Sequence, residues 1–589
     1  MGWCKRFGAF VVLLMGVCAP AAAEKILFIP LDNRPVSLAY TVDSFWKAGV
    51  QVVTPPEKFL ASDRQNGDPD KLAQWLDQEA RGAAGAVVST DSLIYGGLVP
   101  SRTHELDPAV LAQRANALLA FKKRHPGVPL YGFATVMRSP KWSSAPAEPA
   151  YYAQYGPQIF RWGQLRDKKR LGILTRKEKN ELNQVEQALP LDIRRDVLER
   201  RGKNLFVLKG LTRGLEAGKM DYFLIGRDDS APYSEAHKDA ADLENFADPA
   251  FRYKFRSFSG ADELGMVLLN RALNKARGET PLVYGWYNGG TGAATVASYE
   301  DSPMGTSYRQ HVLAAGGYPA RTDKRADLVL GLYTPGDGVT LGADSAANGP
   351  DLDEQGQQFL ATAQKYVRQG RNVGIADVAF GNGGSTALVK GLLTGEPGQE
   401  PLGYRLGSYA GWNTASNSLG YALGQGMLRP YLSDRDRQDL LTVRYLDDWL
   451  YQSKVRQQVR QGLIWPRQWT DGKLTDAQTA QAETLVTEKM LKEGVPLLGK
   501  RPEQYRYSLP WHRTFEIAVQ SEECRVKSGS AESAGANQGR RSRAARFARI
   551  RQQTVGQQRR RGSPQASPSR PPRGHIFNGQ MRQHLASKG

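Results

Sequence analysis

The stretch YFLIGRDDSAPY, residues 222–233, decides how this chain is read. Five apolar or small residues, Tyr222 to Gly226, lead through Arg227 into two adjacent carboxylates, Asp228 and Asp229. A Ser-Ala-Pro turn follows. A continuous apolar run bounded by turn residues suits a strand covered on both faces. Charges at its carboxyl end then stand where parallel α/β folds place their sites. A lone Asp at that place ordinarily makes an Asx-turn or caps the next helix. Two in succession, at the end of one of several similar strands, point towards function.

Similar runs recur on both sides of this stretch. Strand-like segments occupy residues 26–32, 85–91, 130–138, 222–228, 282–288, 326–333, 373–380 and 405–412. Helical patterns lie between them, among them 69–81, 108–124, 261–277 and 353–368. Asp262 and Glu263 fall in the first turn of the 261–277 segment, where negative charge favours a helix start. Strand and helix alternating eight times predict an α/β fold of the (β/α)8, TIM-like barrel kind. Residues 50–54 read as a ninth strand, which keeps an open doubly wound sheet as the alternative. The segment 140–215 is an expanded insertion between the third strand and its helix. It holds an aromatic loop (Trp142, Tyr151, Tyr152, Tyr155, Trp162) and a charged helical stretch, 176–201. Such an insertion forms either a wall over the site or peripheral packing. No internal sequence repeat is evident.

Composition sets the outer limits. The 589 residues are 40% apolar, enough for one large domain with additions. Residues 1–23 read as a secretory signal peptide. Lys5 and Arg6 form its n-region, an apolar h-region spans 10–17, and Ala21-Ala22-Ala23 offers a cleavage site. A lipoprotein signal using Cys18 is the runner-up. The protein is therefore expected to be secreted or periplasmic, with no spanning segment. Only Cys524 lies outside the signal, so no internal disulfide, thiol catalyst or zinc–thiolate site is expected. Barrel-like sequence covers 24–428, and 429–520 reads as a C-terminal helical appendage without a strong strand. Residues 521–589 carry 15 Lys and Arg against 3 Asp and Glu, so +12 of the net +20 sits there. That basic, aperiodic tail reads as disordered, and is either a genuine basic tail or a frameshifted end. No specific nucleic-acid partner follows from it.

The strand ends carry the chemistry. The first delivers Asp32 and Arg34, the second Asp91, Tyr95 and Arg102, the third Arg138. The fourth delivers Asp228 and Asp229, the fifth Trp286 and Asn288. The seventh contains Asp377 and ends near Asn382, and the eighth ends in Trp412 and Asn413. Each is a turn former or core residue when taken alone. Gathered on one rim, they offer the aromatic faces, amides and carboxylates that suit a carbohydrate or another small polar substrate. Two acids packed together cannot both ionise easily, and one pKa rises. That yields a general acid beside a carboxylate, the division of labour glycosidases use. No HExxH, GxSxG or P-loop motif is present, and the glycine runs lack dinucleotide spacing. No cofactor and no metal is expected. An Asp-rich Mg²⁺ or Ca²⁺ site from Asp32, Asp91 and Asp228 is the metal alternative. Arg34, Arg102 and Arg138 support another alternative, a non-catalytic binder of an anionic sugar or other acidic ligand.

Several longer motifs occur in order: ILFIPLDNRP (26–35), STDSLIYGGLVPSR (89–102), GRDDSAPY (226–233), GADELG (260–265), YED (299–301), AGWNTASNSLG (410–420) and LPWHRTFEI (509–517). Together they resemble the secreted bacterial family known as domain of unknown function 4127, a name that implies no activity. The strand-plus-Asp-Asp element resembles the catalytic element of O-GlcNAcase-type glycoside hydrolases, family 84. That resemblance implies a retaining, substrate-assisted hydrolysis of N-acetylhexosamine glycans. Asp228 would orient and polarise the substrate's acetamido group, and Asp229 would act as general acid and then base. Asn288, Asn413, Trp286, Trp412 and Tyr95 would then contact sugar by position.

Overall fold

All eight apolar runs contain strands, and these strands form two separate sheets. The computed structural model describes residues 24–143, 147–395 and 398–521. The proposed signal peptide and the basic tail lie outside the described residues. The first sheet contains β1 (Lys25–Ile29), β2 (Gln51–Val53), β3 (Gly85–Ser89), β4 (Leu130–Val136), β5 (Tyr222–Arg227) and β6 (Phe255–Ser259). The second contains β7 (Leu282–Tyr287), β8 (Tyr318–Pro319), β9 (Leu328–Tyr333), β11 (Val373–Asp377) and β13 (Ser408–Ala410). Two short strands from its loops, β10 (Leu341–Gly342) and β12 (Phe380–Gly381), pair with each other.

The spatial orders are β2-β1-β3-β4-β5-β6 and β8-β7-β9-β11-β13, with parallel pairing throughout. Both sheets place their second strand outside the first and then wind the other way. Each is a doubly wound sheet with a switch point between its first and third strands. The fold is α/β with parallel sheets, which fits the open alternative. The closed eight-stranded barrel is not formed among the described residues, because β6 and β7 do not pair. The run at 50–54 is an edge strand, and β6 is a second edge that the eight-strand count lacked. Its sequence, FRSFS, is short and half polar, as edge strands commonly are.

Alternation along the first sheet explains its apolar runs. Ile26 and Phe28 face one core, and Leu27 and Ile29 face another. The second of these cores is covered by helices Pro69–Glu79, Pro108–Leu119, Leu191–Glu216 and Glu235–Phe246. The first core receives helix Leu264–Arg277, which packs on β1, β3 and β4. Helix Ala415–Leu428 packs on β9, β11 and β13 of the other sheet, and the two helices lie against each other. The Ala415–Leu428 helix is buried along its whole length. A Cβ at Gly420 would collide with Glu263, and one at Gly424 with Met266. Glycines four apart thus let the helices approach closely. This contact brings the GADELG and WNTASN segments, which precede the two helices, side by side.

The insertion consists of helices Tyr152–Arg170, Arg176–Ala188 and Leu191–Glu216. It has a small core of its own around Trp162, Leu165, Leu182 and Val197. Helix Leu264–Arg277 begins after Asp262 and Glu263, which belong to the turn before it. The C-terminal region is largely helical but also contains an antiparallel pair, β14 (Tyr505–Ser508) and β15 (Ala518–Ser521). The loop between them brings Trp511 to the end of β1. Its Nε1 donates to Asn33 Oδ1 at 2.8 Å, and the Arg34 guanidinium lies 5.6 Å from its ring centroid. Among the described residues no helix is long and apolar enough to cross a membrane.

Candidate functional site

The first sheet's switch point lies between β1 and β3, and the loops leaving these strands carry Asp32 and Asp91. Asp32 accepts from the Arg34 backbone N at 3.1 Å and from Arg34 Nε at 2.9 Å. The other edge of the Arg34 guanidinium is bidentate on Asp262, at 2.7 and 3.3 Å. Burial opposes charge on Arg34, but Asp262 and Asp32 outweigh it and hold its pKa above the usual value. Asp91 accepts from Thr135 N at 2.9 Å and Thr135 Oγ1 at 2.7 Å. Burial, reinforced by Asp228, pushes Asp91 up to about 7 despite those bonds.

The acid pair ends β5 and sits among arginines from two other strand ends. Arg102 NH2 donates to Asp228, and its NH1 reaches Glu148 Oε1 at 3.4 Å. Arg138 donates through NH1 to Asp229 Oδ2 at 2.7 Å and through NH2 to Glu148 Oε2 at 3.0 Å. Glu148, from the insertion, therefore bridges both arginines and is itself buried. The two aspartates have unlike surroundings. Asp228 is closed over by Arg102. Asp229 keeps about a quarter of its side chain accessible, at 23%. Burial first, and then the neighbouring Asp228 charge, raise the Asp229 pKa from its ordinary value, with Arg138 and Arg102 opposing.

Beside the pair is a small recess of about 10 Å³, room for roughly one water, lined by Arg227, Asp228, Asp229, Gly260, Ala261, Asp262, Tyr299, Asn413 and Thr414. Both halves of the fold contribute to it. Asn413 Nδ2 donates to Asp262 Oδ2 at 2.9 Å. Burial pushes Asp262 up to about 6, with Arg34 opposing and Asp32 and Asp228 assisting. Asn382 passes its backbone N–H to Asn413 O at 2.8 Å and its Nδ2 to Tyr299 OH at 3.5 Å. Behind the recess Arg227 is bidentate on Asp301, both bonds at 2.7 Å. Burial opposes the Asp301 charge, but Arg227 prevails and takes its pKa to about 2. Seven non-glycine residues have positive φ among the described residues. Four of them, Asp229, Tyr299, Asn382 and Asn413, line or touch this recess. Strained backbone of this kind collects where the surrounding structure holds a site in place.

The remaining residues expected at the rim lie elsewhere. Trp286 stacks on Phe359 with centroids 5.3 Å apart, and Trp412 packs on Phe515 at 5.6 Å. Tyr95 lies under His104 at 4.8 Å. Asn288 is consumed by Thr334, accepting from its N at 2.9 Å and donating to its O at 2.9 Å. Asp377 accepts from Ser385 N at 2.7 Å and from Tyr409 OH at 2.9 Å, fully buried in the second sheet's loops. The structure brings together Asp32, Arg34, Asp91, Arg102, Arg138, Asp228, Asp229, Asn382 and Asn413. To these it adds Asp262, Tyr299 and Glu148. The first two stand in the GADELG and YED motifs, a signal that was available. Glu148 has no such signal, since nothing in the text around it departs from ordinary loop sequence.

Fold and site together define an α/β protein with two doubly wound sheets and a carboxylate–arginine recess shared between them. The sequence from residue 26 to 520 matches the family described as protein of unknown function (DUF4127), and the chain belongs to it. Searches of curated proteins and of solved structures found no match.

Proposed function

We propose that the protein is a carbohydrate-active hydrolase, with Asp229 as its proton-transferring residue and Asp228 as its fixed carboxylate. One observation carries this reading: adjacent acids, each paired with an arginine, that differ in access to the recess. Asp228 is closed over by Arg102, whereas Asp229, paired with Arg138, keeps 23% of its side chain accessible, and burial with the Asp228 charge raises its pKa. A carboxyl group whose pKa is raised by its surroundings suits the part of general acid. The analogy with family 84 now rests on this pair alone, because the strands do not form its barrel. On that analogy the substrate is an N-acetylhexosaminide. Asp229 gives its proton to the glycosidic oxygen as the bond to the leaving group breaks. The substrate's acetamido oxygen, its N–H held by Asp228, bonds to the anomeric carbon. Asp229 then takes a proton from the water that opens this cyclic intermediate.

Two observations weigh against the rival readings. Arg34, Arg102 and Arg138 each already engage two carboxylates, which weighs against their serving as a clamp for an anionic ligand. Asp32, Asp91 and Asp228 are engaged by Arg34, Thr135 and Arg102, and no cluster among the described residues has the arrangement of a metal site. The charged n-region, apolar core and alanine triplet within residues 1–23 support export as the protein's location.

Chromogenic N-acetylhexosaminides and cell-wall fragments, assayed with wild type and Asp229→Asn, test the proposal. The variant is expected to lose roughly 10²–10⁴ in rate, the usual worth of a positioned proton donor. The wild-type rate should fall as pH rises through the elevated Asp229 pKa, because the donor must be protonated. Turnover that survives Asp229→Asn unchanged removes the assignment.

A further inference from the structure

The aromatic side chains that the sequence offered to a sugar are spent inside the fold. Trp286, Trp412 and Tyr95 each have a ring packed against them. The recess has a different aromatic wall. Trp142, from the insertion, meets Tyr299 edge-on, with centroids 5.6 Å apart and planes at 81°. Tyr299 lines the recess beside Asp229, and Trp142 leaves 49% of its surface exposed.

One exposed tryptophan says little by itself. Two features show that the position of this one is built into the fold. A Cβ at Gly156 would lie 2.7 Å from the Trp142 carbonyl oxygen, so helix Tyr152–Arg170 has a glycine where the Trp142 backbone rests on it. Its partner Tyr299 is held at φ +68°, a costly conformation for a bulky residue, with its hydroxyl bonded to Asn382. The wall therefore joins the insertion to the second half of the fold at the edge of the acid pair.

We propose that Trp142 and Tyr299 form a sugar-stacking subsite for the residue next to the one cleaved. This makes the natural substrate an oligosaccharide, and it rests on the glycosidase reading above. An indole face matches the apolar C–H face of a pyranose, while the neighbouring carboxylates and amides meet hydroxyls at the ring edge. The insertion then determines which glycans enter.

Calorimetric binding in an Asp229→Asn background tests this without turnover. The probes are N-acetylglucosamine and its β-1,4-linked tetramer. The tetramer is expected to bind at least tenfold tighter than the monomer. Adding Trp142→Ala should cut tetramer affinity about tenfold more than monomer affinity, and Trp142→Phe should restore much of the difference. Tetramer binding should also change tryptophan fluorescence, and Trp142→Phe should remove that change. A tetramer preference that persists in well-folded Trp142→Ala overturns the subsite. If wild type still hydrolyses an N-acetylhexosaminide, that result leaves the glycosidase reading standing. No binding of either sugar, together with no hydrolysis of the tetramer or of a chromogenic N-acetylhexosaminide by wild type, overturns both.

Discussion

Beyond β3, β4 and β5 the arginines and the acid pair answer one another, while Asp91 closes on the Thr135 backbone and hydroxyl. Asp228 meets Arg102, Asp229 meets Arg138, and Glu148 joins the two arginines beside an open recess. At the carboxyl ends of β7, β9 and β11 the polar side chains answer the backbone or a neighbouring hydroxyl. Asn288 closes on Thr334, and Asp377 closes on Ser385 and Tyr409. The two sheets have the same winding and both place acids or amides at their strand ends. They differ in what satisfies those groups. A group satisfied by backbone N–H fixes a loop and has little left to offer a ligand. A group balanced against side-chain charge beside space can exchange partners. Position at a strand end is therefore insufficient to mark a site, and the kind of partner separates the acid pair from Asp91 and Asp377.

The comparison can be broken by removing one partner on each rim. Arg102→Met leaves Asp228 buried without its arginine and is expected to cost about 3–5 kcal/mol, read as a lowered urea midpoint. A loss below about 1 kcal/mol would mean that the first rim is not held by charge pairing. On the second rim, burial pushes Asp377 up to about 7, with Ser385 and Tyr409 opposing. Its folded pKa is thus above the unfolded value. The stability this confers is present in full below about pH 4 and is lost as pH rises through about 7. Asp377→Asn should flatten that part of the pH dependence by up to about 4 kcal/mol, measured as melting temperature between pH 4 and 8. An unaltered profile would contradict the burial argument. The smallest effect concerns strain at Asn413, with φ +64°. Replacement by Ala or Gly removes the same bond to Asp262, so their difference isolates the backbone. Gly should be the more stable by about 1–2 kcal/mol, and equal stabilities would remove the strain argument.

Much of this was readable beforehand. The apolar runs located the central strands because a strand buried on both faces needs unbroken apolar sequence. The Asp-Asp pair was legible as a candidate site because its neighbours are turn formers and its strand is not. The closure of the sheets was not legible, since it turns on edge strands. β2 is three residues and β6 is half polar, so neither declares its pairing. The separation of Trp286 and Trp412 from the recess was equally hidden. Both follow strands in sequence, but their partners, Phe359 and Phe515, are 73 and 103 residues further on. Glu148 was invisible for the same reason: its role exists only once Arg102 and Arg138 have converged.

The central claim is that the first rim carries the chemistry and the second carries the fold. Asp229→Asn and Asp377→Asn, compared on one N-acetylhexosaminide at a pH where both are folded, test it most directly. The account predicts a loss of roughly 10²–10⁴ for the first and a change of less than about threefold for the second. Equal losses, or a larger loss at Asp377, would contradict it.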